Sequence, residues 1–223
     1  MKFLKQPVSP FRINQYFGDD MACVNSLNTK TIFKKQTDTC PVGYQSLYAK
    51  FGMKGHNALD LMATHGQPIY SSCEGYVEEV QTEEARGLGL GIVTENKYPC
   101  DELNGQEVQW KVRYWHLKSF EVKKGDKVKQ GDLIGYADNT GYSSGDHLHF
   151  EIKPVEIKNK FVYNLLQDNG FFGAVNPLPY IIFLTEEEQF RTDHPWLDKD
   201  ITKEVYTYRQ KLFNFFVKLF TKK

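Results

Sequence analysis

The stretch Gly145-Asp146-His147-Leu148-His149-Phe150-Glu151-Ile152 decides how the chain reads. From His147 to Ile152 a histidine or acid alternates with an apolar residue, the period-two pattern of a strand with one buried face. His147 and His149 then share the other face, their Cα atoms about 6.6 Å apart at a rise of about 3.3 Å per residue. Leu148 and Phe150 pack behind them. A His-x-His pair by itself reads better as two histidines on a solvated strand face, so a site here depends on other residues.

Those residues stand upstream, in Gly55-His56-Asn57-Ala58-Leu59-Asp60. Gly66 and Pro68 then punctuate a turn before the strand-like residues 69–72, which argues against a helix that would align positions four apart. A straight strand would hold His56 and Asp60 about 13 Å apart, too far for one ion with bonds of about 2 Å. His56 must therefore curl back from a loop, and Gly55 permits the bend. Two histidines and one carboxylate leave the fourth position of a tetrahedral zinc open, the arrangement of a catalytic site. A remaining histidine, His116, lies in Val112-Arg113-Tyr114-Trp115-His116-Leu117, an aromatic-rich strand candidate, and is available for acid-base work.

Three motifs in this order, His-x-x-x-Asp at 56–60, Tyr-Trp-His-Leu at 114–117 and His-Leu-His-Phe-Glu at 147–151, resemble the LytM/lysostaphin-type zinc metallopeptidases. The segments 122–135 and 139–145 and Asn176-Pro177-Leu178-Pro179-Tyr180 are similar to that family as well, so the likeness spans roughly residues 10–182. It implies a mainly β fold, a compact antiparallel sheet or barrel-like sandwich, with one zinc held by His56, Asp60 and His149. It also implies His116 and His147 as the catalytic pair and bacterial peptidoglycan peptide as substrate. Between these two, His147 is taken as the general base and His116 as the oxyanion stabiliser or acid, roles that sequence leaves exchangeable. The competing readings are a non-catalytic wall-binding or tail-tip module on the same fold, and a phosphate carrier acting through one histidine. An intact ligand set argues against the first, and Asp60 against the second.

The rest of the 223 residues sets boundaries. Equal numbers of basic and acidic side chains, 28 each, give no global pull toward nucleic acid. No apolar run approaches the roughly 18 residues of a membrane span. Residues 1–7 lack the apolar core of a secretory signal, which fits a phage lytic enzyme (endolysin), a virion component or release by lysis, acting at the cell wall. Residues 1–184 read as the catalytic domain, with polar insertions at about 19–50 and 153–175. The first is bracketed by Cys23 and Cys40, which could close it in an oxidising compartment, and it should wall the substrate cleft. Residues 75–80 and 91–94 read as strands with Gly87, Gly89 and Gly91 as the turn between them, and 97–105 as a hairpin tip leading into 107–116. His65 and His194 read as exposed loop histidines. Residues 185–223 form an extension in which Val205, Leu212, Phe213, Phe216, Leu219 and Phe220 recur at helical spacing. The apolar face of this amphipathic helix at 203–220 would need cover from the domain, a partner chain or a membrane surface.

Overall fold

The computed structural model describes residues 1–27, 31–35, 37–167 and 169–183. By compactness the chain divides into Met1–Ile182 and Phe183–Lys223. The amphipathic helix expected at 203–220 and His194 lie outside the described residues.

Among the described residues fourteen strands follow in chain order: β1 (Ile13–Gln15), β2 (Ala22–Asn25), β3 (Thr31–Phe33), β4 (Tyr44–Ser46), β5 (Leu59–Met62), β6 (Pro68–Tyr70), β7 (Gly75–Gln81) and β8 (Leu88–Thr94). Then come β9 (Tyr98–Cys100), β10 (Gln106–Phe120), β11 (Lys127–Val128), β12 (Leu133–Ala137), β13 (His147–Lys158) and β14 (Phe161–Asn164). All their pairings are antiparallel. The main sheet runs β1-β5-β13-β10-β8-β7-β11, with β14 on β13, β9 and β12 on β10, and β6 on β12. The fold is thus mainly β and antiparallel, as expected.

The alternation read in 147–152 extends across the sheet. Trp110, Val112 and Tyr114 of β10, Leu148, Phe150 and Ile152 of β13, Leu59 and Leu61 of β5, and Leu90 and Ile92 of β8 form one buried cluster. Phe3 and Tyr180 cap one end of it, with ring centroids 5.7 and 4.7 Å from that of Trp110. Each such side chain buried stabilises the fold by about 1.5–3 kcal/mol, which fixes the register, because a one-residue slip would turn the whole set to water.

Two local expectations change. Gly89 and Gly91 are not in the turn between β7 and β8; that turn is a short 3-10 segment (Glu84–Arg86) followed by Gly87. Gly89 lies within β8, where an added Cβ would come within 2.3 Å of the Trp115 ring, so glycine there makes room for the indole. The stretch 153–175 opens as the second half of β13, which continues unbroken to Lys158 before the hairpin to β14. Pro154 sits opposite Trp110 in that strand.

Residues 19–50 carry a small sheet of their own, ordered β3-β2-β4. Cys23 and Cys40 are joined by a disulfide. Cys73 and Cys100 are free and buried.

Candidate metal centre

Strand register brings the first two site residues together. In the pairing of β13 with β5, His149 stands opposite Asp60 and His147 opposite Met62. His56 arrives from the loop before β5. Its backbone is clamped there, Gly18 N–H donating to His56 O at 2.7 Å and His56 N–H to Asp19 O at 2.9 Å. Gly55 serves this clamp rather than a bend: its φ is not positive, but a Cβ there would come within 2.4 Å of the Gly18 carbonyl oxygen.

His116 is placed by a bulge. Up to Trp115, β10 pairs with β13 on one side and β8 on the other; from Leu117 its partner on the first side becomes β12. His116 falls between those register pairs with φ of 65°, its carbonyl accepting from Asp138 N–H at 2.9 Å. A non-glycine residue in that region costs on the order of 1–3 kcal/mol, and here it aims the ring into the cleft beside His147. Their ring centroids lie 4.7 Å apart.

Three side-chain atoms converge. His56 Nε2 and Asp60 Oδ1 are 3.1 Å apart, His149 Nδ1 and Asp60 Oδ1 3.1 Å, and His56 Nε2 and His149 Nδ1 3.2 Å. Ligand atoms on a tetrahedral zinc at about 2.0–2.1 Å stand roughly 3.3 Å from one another, so the triangle needs only a slight opening to seat the ion. His56, Asp60 and His149 thus fit a zinc-type ion and leave one position open.

The other ring nitrogens show which atoms carry protons. A backbone carbonyl only accepts, so His56 Nδ1, 3.3 Å from Tyr16 O, is the protonated nitrogen, and Nε2 offers its lone pair to the triangle. His116 Nδ1 donates to Thr140 O at 2.6 Å, and His147 Nδ1 to Gly145 O at 2.8 Å. Both therefore turn Nε2 toward the cleft.

The site's charge is uneven. Burial, with neighbouring His149 adding to it, pushes His116 down to about 4, so this imidazole is neutral near neutral pH. Burial acts against His147 and His149 too, but hydrogen bonds to Asp60 overcome it; His147 is raised, and His149, also beside Glu151, reaches about 9. Asp60 feels burial in the opposite direction, yet hydrogen bonds from His147, His149 and His56 hold its carboxyl well below the usual carboxylate range. The cluster draws in positive charge, as a cation site must.

A second group, His65, Asp138 and Asp146, also brings its ligand atoms within 4.8 Å. Here the Lys118 ammonium lies 3.0 Å from His65 Nε2, and His65 Nδ1 is taken up by Asp138 at 2.8 Å, so the donor atoms do not converge on a free point. His65 is exposed, as read from sequence, but not idle.

Sequence reasoning missed three members of the surroundings. Tyr48, at the end of the inserted segment, has its ring 5.8 Å from that of His56, and its hydroxyl accepts from Gln15 Nε2 at 2.6 Å. Burial, aided by Asp60 and opposed by the Gln15 bond, raises its phenol. No local pattern marks Tyr48. Glu151 was visible as the next residue on the His149 face, but its burial was not. Asn57, which donates to Glu151 Oε2, joins the site only through the fold.

An antiparallel sheet thus bears a His2Asp donor triangle with two more histidine rings close by. Residues 54–162 match the model of peptidase family M23. It is similar to the glycyl-glycine endopeptidase ALE-1 of Staphylococcus capitis, 33% identical over 127 residues that make up 56% of this chain and 29% of that protein. The chain thus spans under a third of the length of this curated relative. Among solved structures, a zinc-containing peptidase from Vibrio cholerae is 27% identical, covering 68% of this chain and 36% of that one at a TM-score of 0.46. The catalytic domain of lysostaphin from Staphylococcus simulans is also 27% identical, covering 56% and 78% at a TM-score of 0.42.

Proposed function

We propose that the chain is a zinc-dependent endopeptidase that hydrolyses peptide bonds in bacterial peptidoglycan. The observation that carries this is the triangle of His56 Nε2, Asp60 Oδ1 and His149 Nδ1, with His147 Nε2 3.5 Å from Asp60 Oδ1 and the His116 ring 5.7 Å from that of His149. The M23 match and the similarity to a glycyl-glycine endopeptidase support the choice of a wall peptide as substrate.

His56, Asp60 and His149 would hold the ion, and zinc in that position supplies Lewis-acid polarisation of a carbonyl and activation of water. The two remaining histidines move protons. His116, neutral and anchored through Nδ1–H on Thr140 O, presents Nε2 as an acceptor and suits removal of the proton from the attacking water. His147 Nε2 lies 3.5 Å from Asp60 Oδ1 while its Nδ1–H is held by Gly145 O, so it suits holding a proton for the developing oxyanion or the leaving amine. This exchanges the roles first read from sequence; its support is that burial favours neutral His116, whereas the Asp60 carboxylate beside His147 favours the protonated form. Residues 1–184 would be the catalytic unit and 185–223 an extension, a reading supported by the division of the chain after Ile182.

Metal analysis should find one zinc per chain, and incubation with purified walls of differing cross-links should release peptides with new amino and carboxyl ends, identified by mass spectrometry. A metal-loaded, folded protein that releases no such ends from any wall type would overturn the enzymatic reading.

A further inference from the structure

His149 differs from its three neighbours in how it is anchored. His56, His116 and His147 are fixed through Nδ1 by the carbonyls of Tyr16, Thr140 and Gly145, groups no side-chain substitution can remove. His149 spends Nδ1 on the triangle, so its anchor must act at Nε2. There, at an ion-pair distance of 3.9 Å rather than in a direct hydrogen bond, stands Oε2 of Glu151, two residues on along the same face of β13.

Glu151 is only 1% exposed. A carboxylate buried to that extent costs several kcal/mol unless it is paired, and this one is held at both oxygens. Oε1 accepts from Arg113 Nη1 at 2.8 Å and lies 3.1 Å from Lys153 Nζ. Oε2 accepts from Asn57 Nδ2. Arg113 is itself constrained, its guanidinium 3.9 Å from the centroid of the Trp115 ring. The carboxylate is thereby a fixed negative point behind a ring that has two ways to sit: a half-turn about its Cβ–Cγ bond would put the carbon Cδ2 where Nδ1 now meets Asp60 and His56.

We propose that Glu151 is the positioning residue of the metal centre. It keeps the proton of His149 on Nε2 and the ring in the orientation that offers the Nδ1 lone pair to the ion, and Asn57 aims it. The proposal rests on the metal reading above. Loss of such an outer partner typically weakens metal affinity by about 10- to 100-fold.

The test is zinc affinity of the full chain by competition with a chromophoric chelator, together with the visible spectrum of the cobalt(II)-loaded protein, for wild type, Glu151→Gln and Asn57→Ala. Glu151→Gln should lower affinity by about 10- to 100-fold and alter the cobalt bands. Asn57→Ala, which keeps every charge, should act in the same direction by a smaller factor. If Glu151 merely supports Arg113 and Lys153, the melting temperature of the metal-free Gln variant drops while zinc affinity and cobalt spectrum stay at wild type, and the proposal falls. Should the Gln variant not fold, Asn57→Ala decides, wild-type affinity overturning the proposal. A wild-type chain that takes up no zinc sinks the metal reading itself, an outcome distinct from both.

Discussion

The two faces of the β10–β13 ribbon are built by the same backbone and obey opposite rules. On one face Trp110, Val112, Tyr114, Phe150 and Ile152 exclude water and need nothing from one another but shape. On the other, Lys111 stands opposite Lys153, Arg113 opposite Glu151, and Trp115 opposite His149. The like charges of the first pair are tolerated because Lys111 is held by Glu78 and Glu79, each at 2.7 Å, while Lys153 turns to Glu151 at 3.1 Å. The apolar face supplies stability that depends on volume; the polar face supplies positions, at a desolvation cost the apolar face must cover. Damage on the two faces should therefore separate into loss of function and loss of folding.

The largest effect is expected on the polar face. Asp60→Ala should remove bound zinc and bring wall digestion to background while the metal-free protein keeps its β-sheet circular dichroism; zinc still bound one per chain would show that the triangle is not the metal site. Its counterpart is Trp110→Ala on the apolar face, which should cost about 3–5 kcal/mol in urea denaturation. The fraction still folded should bind zinc as the wild type does. If Trp110→Ala instead lost metal at full stability, the separation of the faces would fail.

His147→Ala divides the polar face further. Its three proposed ligands remain, so zinc content should hold, while turnover falls by about 10²-fold or more, near 3 kcal/mol of barrier. Zinc lost along with activity would place His147 among the ligands.

The smallest effect tests the apolar face with a proton. Burial, slightly opposed by a Ser71 hydrogen bond, pushes the Cys73 thiol from its ordinary value of 9.0 up to about 12. Below pH 9 the thiol is protonated folded or unfolded. From about 9 to 12 only the unfolded chain gives up the proton, so stability falls as pH rises, by about 1.4 kcal/mol per pH unit from this group. Cys73→Ala should flatten the alkaline slope of unfolding free energy by about that amount between pH 9.5 and 11, and an unchanged slope would mean the thiol is open to water.

How much of this was readable in advance differs residue by residue. The period-two run at 147–152 already assigned Leu148 and Phe150 to the interior and His147 and His149 to one face, because alternation is a local property of an extended chain. The five residues proposed for the site, His56, Asp60, His116, His147 and His149, were named from three short motifs and the resemblance they carry, and the fold brings their side chains close together. Gly89 and Gly91 were misread as a turn because glycine looks the same in sequence whether it supplies a bend or clears space for a side chain, the Trp115 indole at Gly89 and Lys111 at Gly91.

Sequence by itself thus determined which residues of 147–152 share a face of the strand and which side chains have the chemistry to bind a metal or carry a proton. Only the tertiary structure decided that His149 pairs with Asp60, that His116 leaves the ladder at a bulge where β10 changes partner, that Tyr48 from the inserted segment reaches His56, and that Glu151 is buried between two cations. The physical reason is range. Alternation is set by neighbours one and two residues away, whereas the tautomer and aim of each imidazole depend on carbonyls and carboxylates, some of them brought alongside from distant strands by the packing of the opposite face.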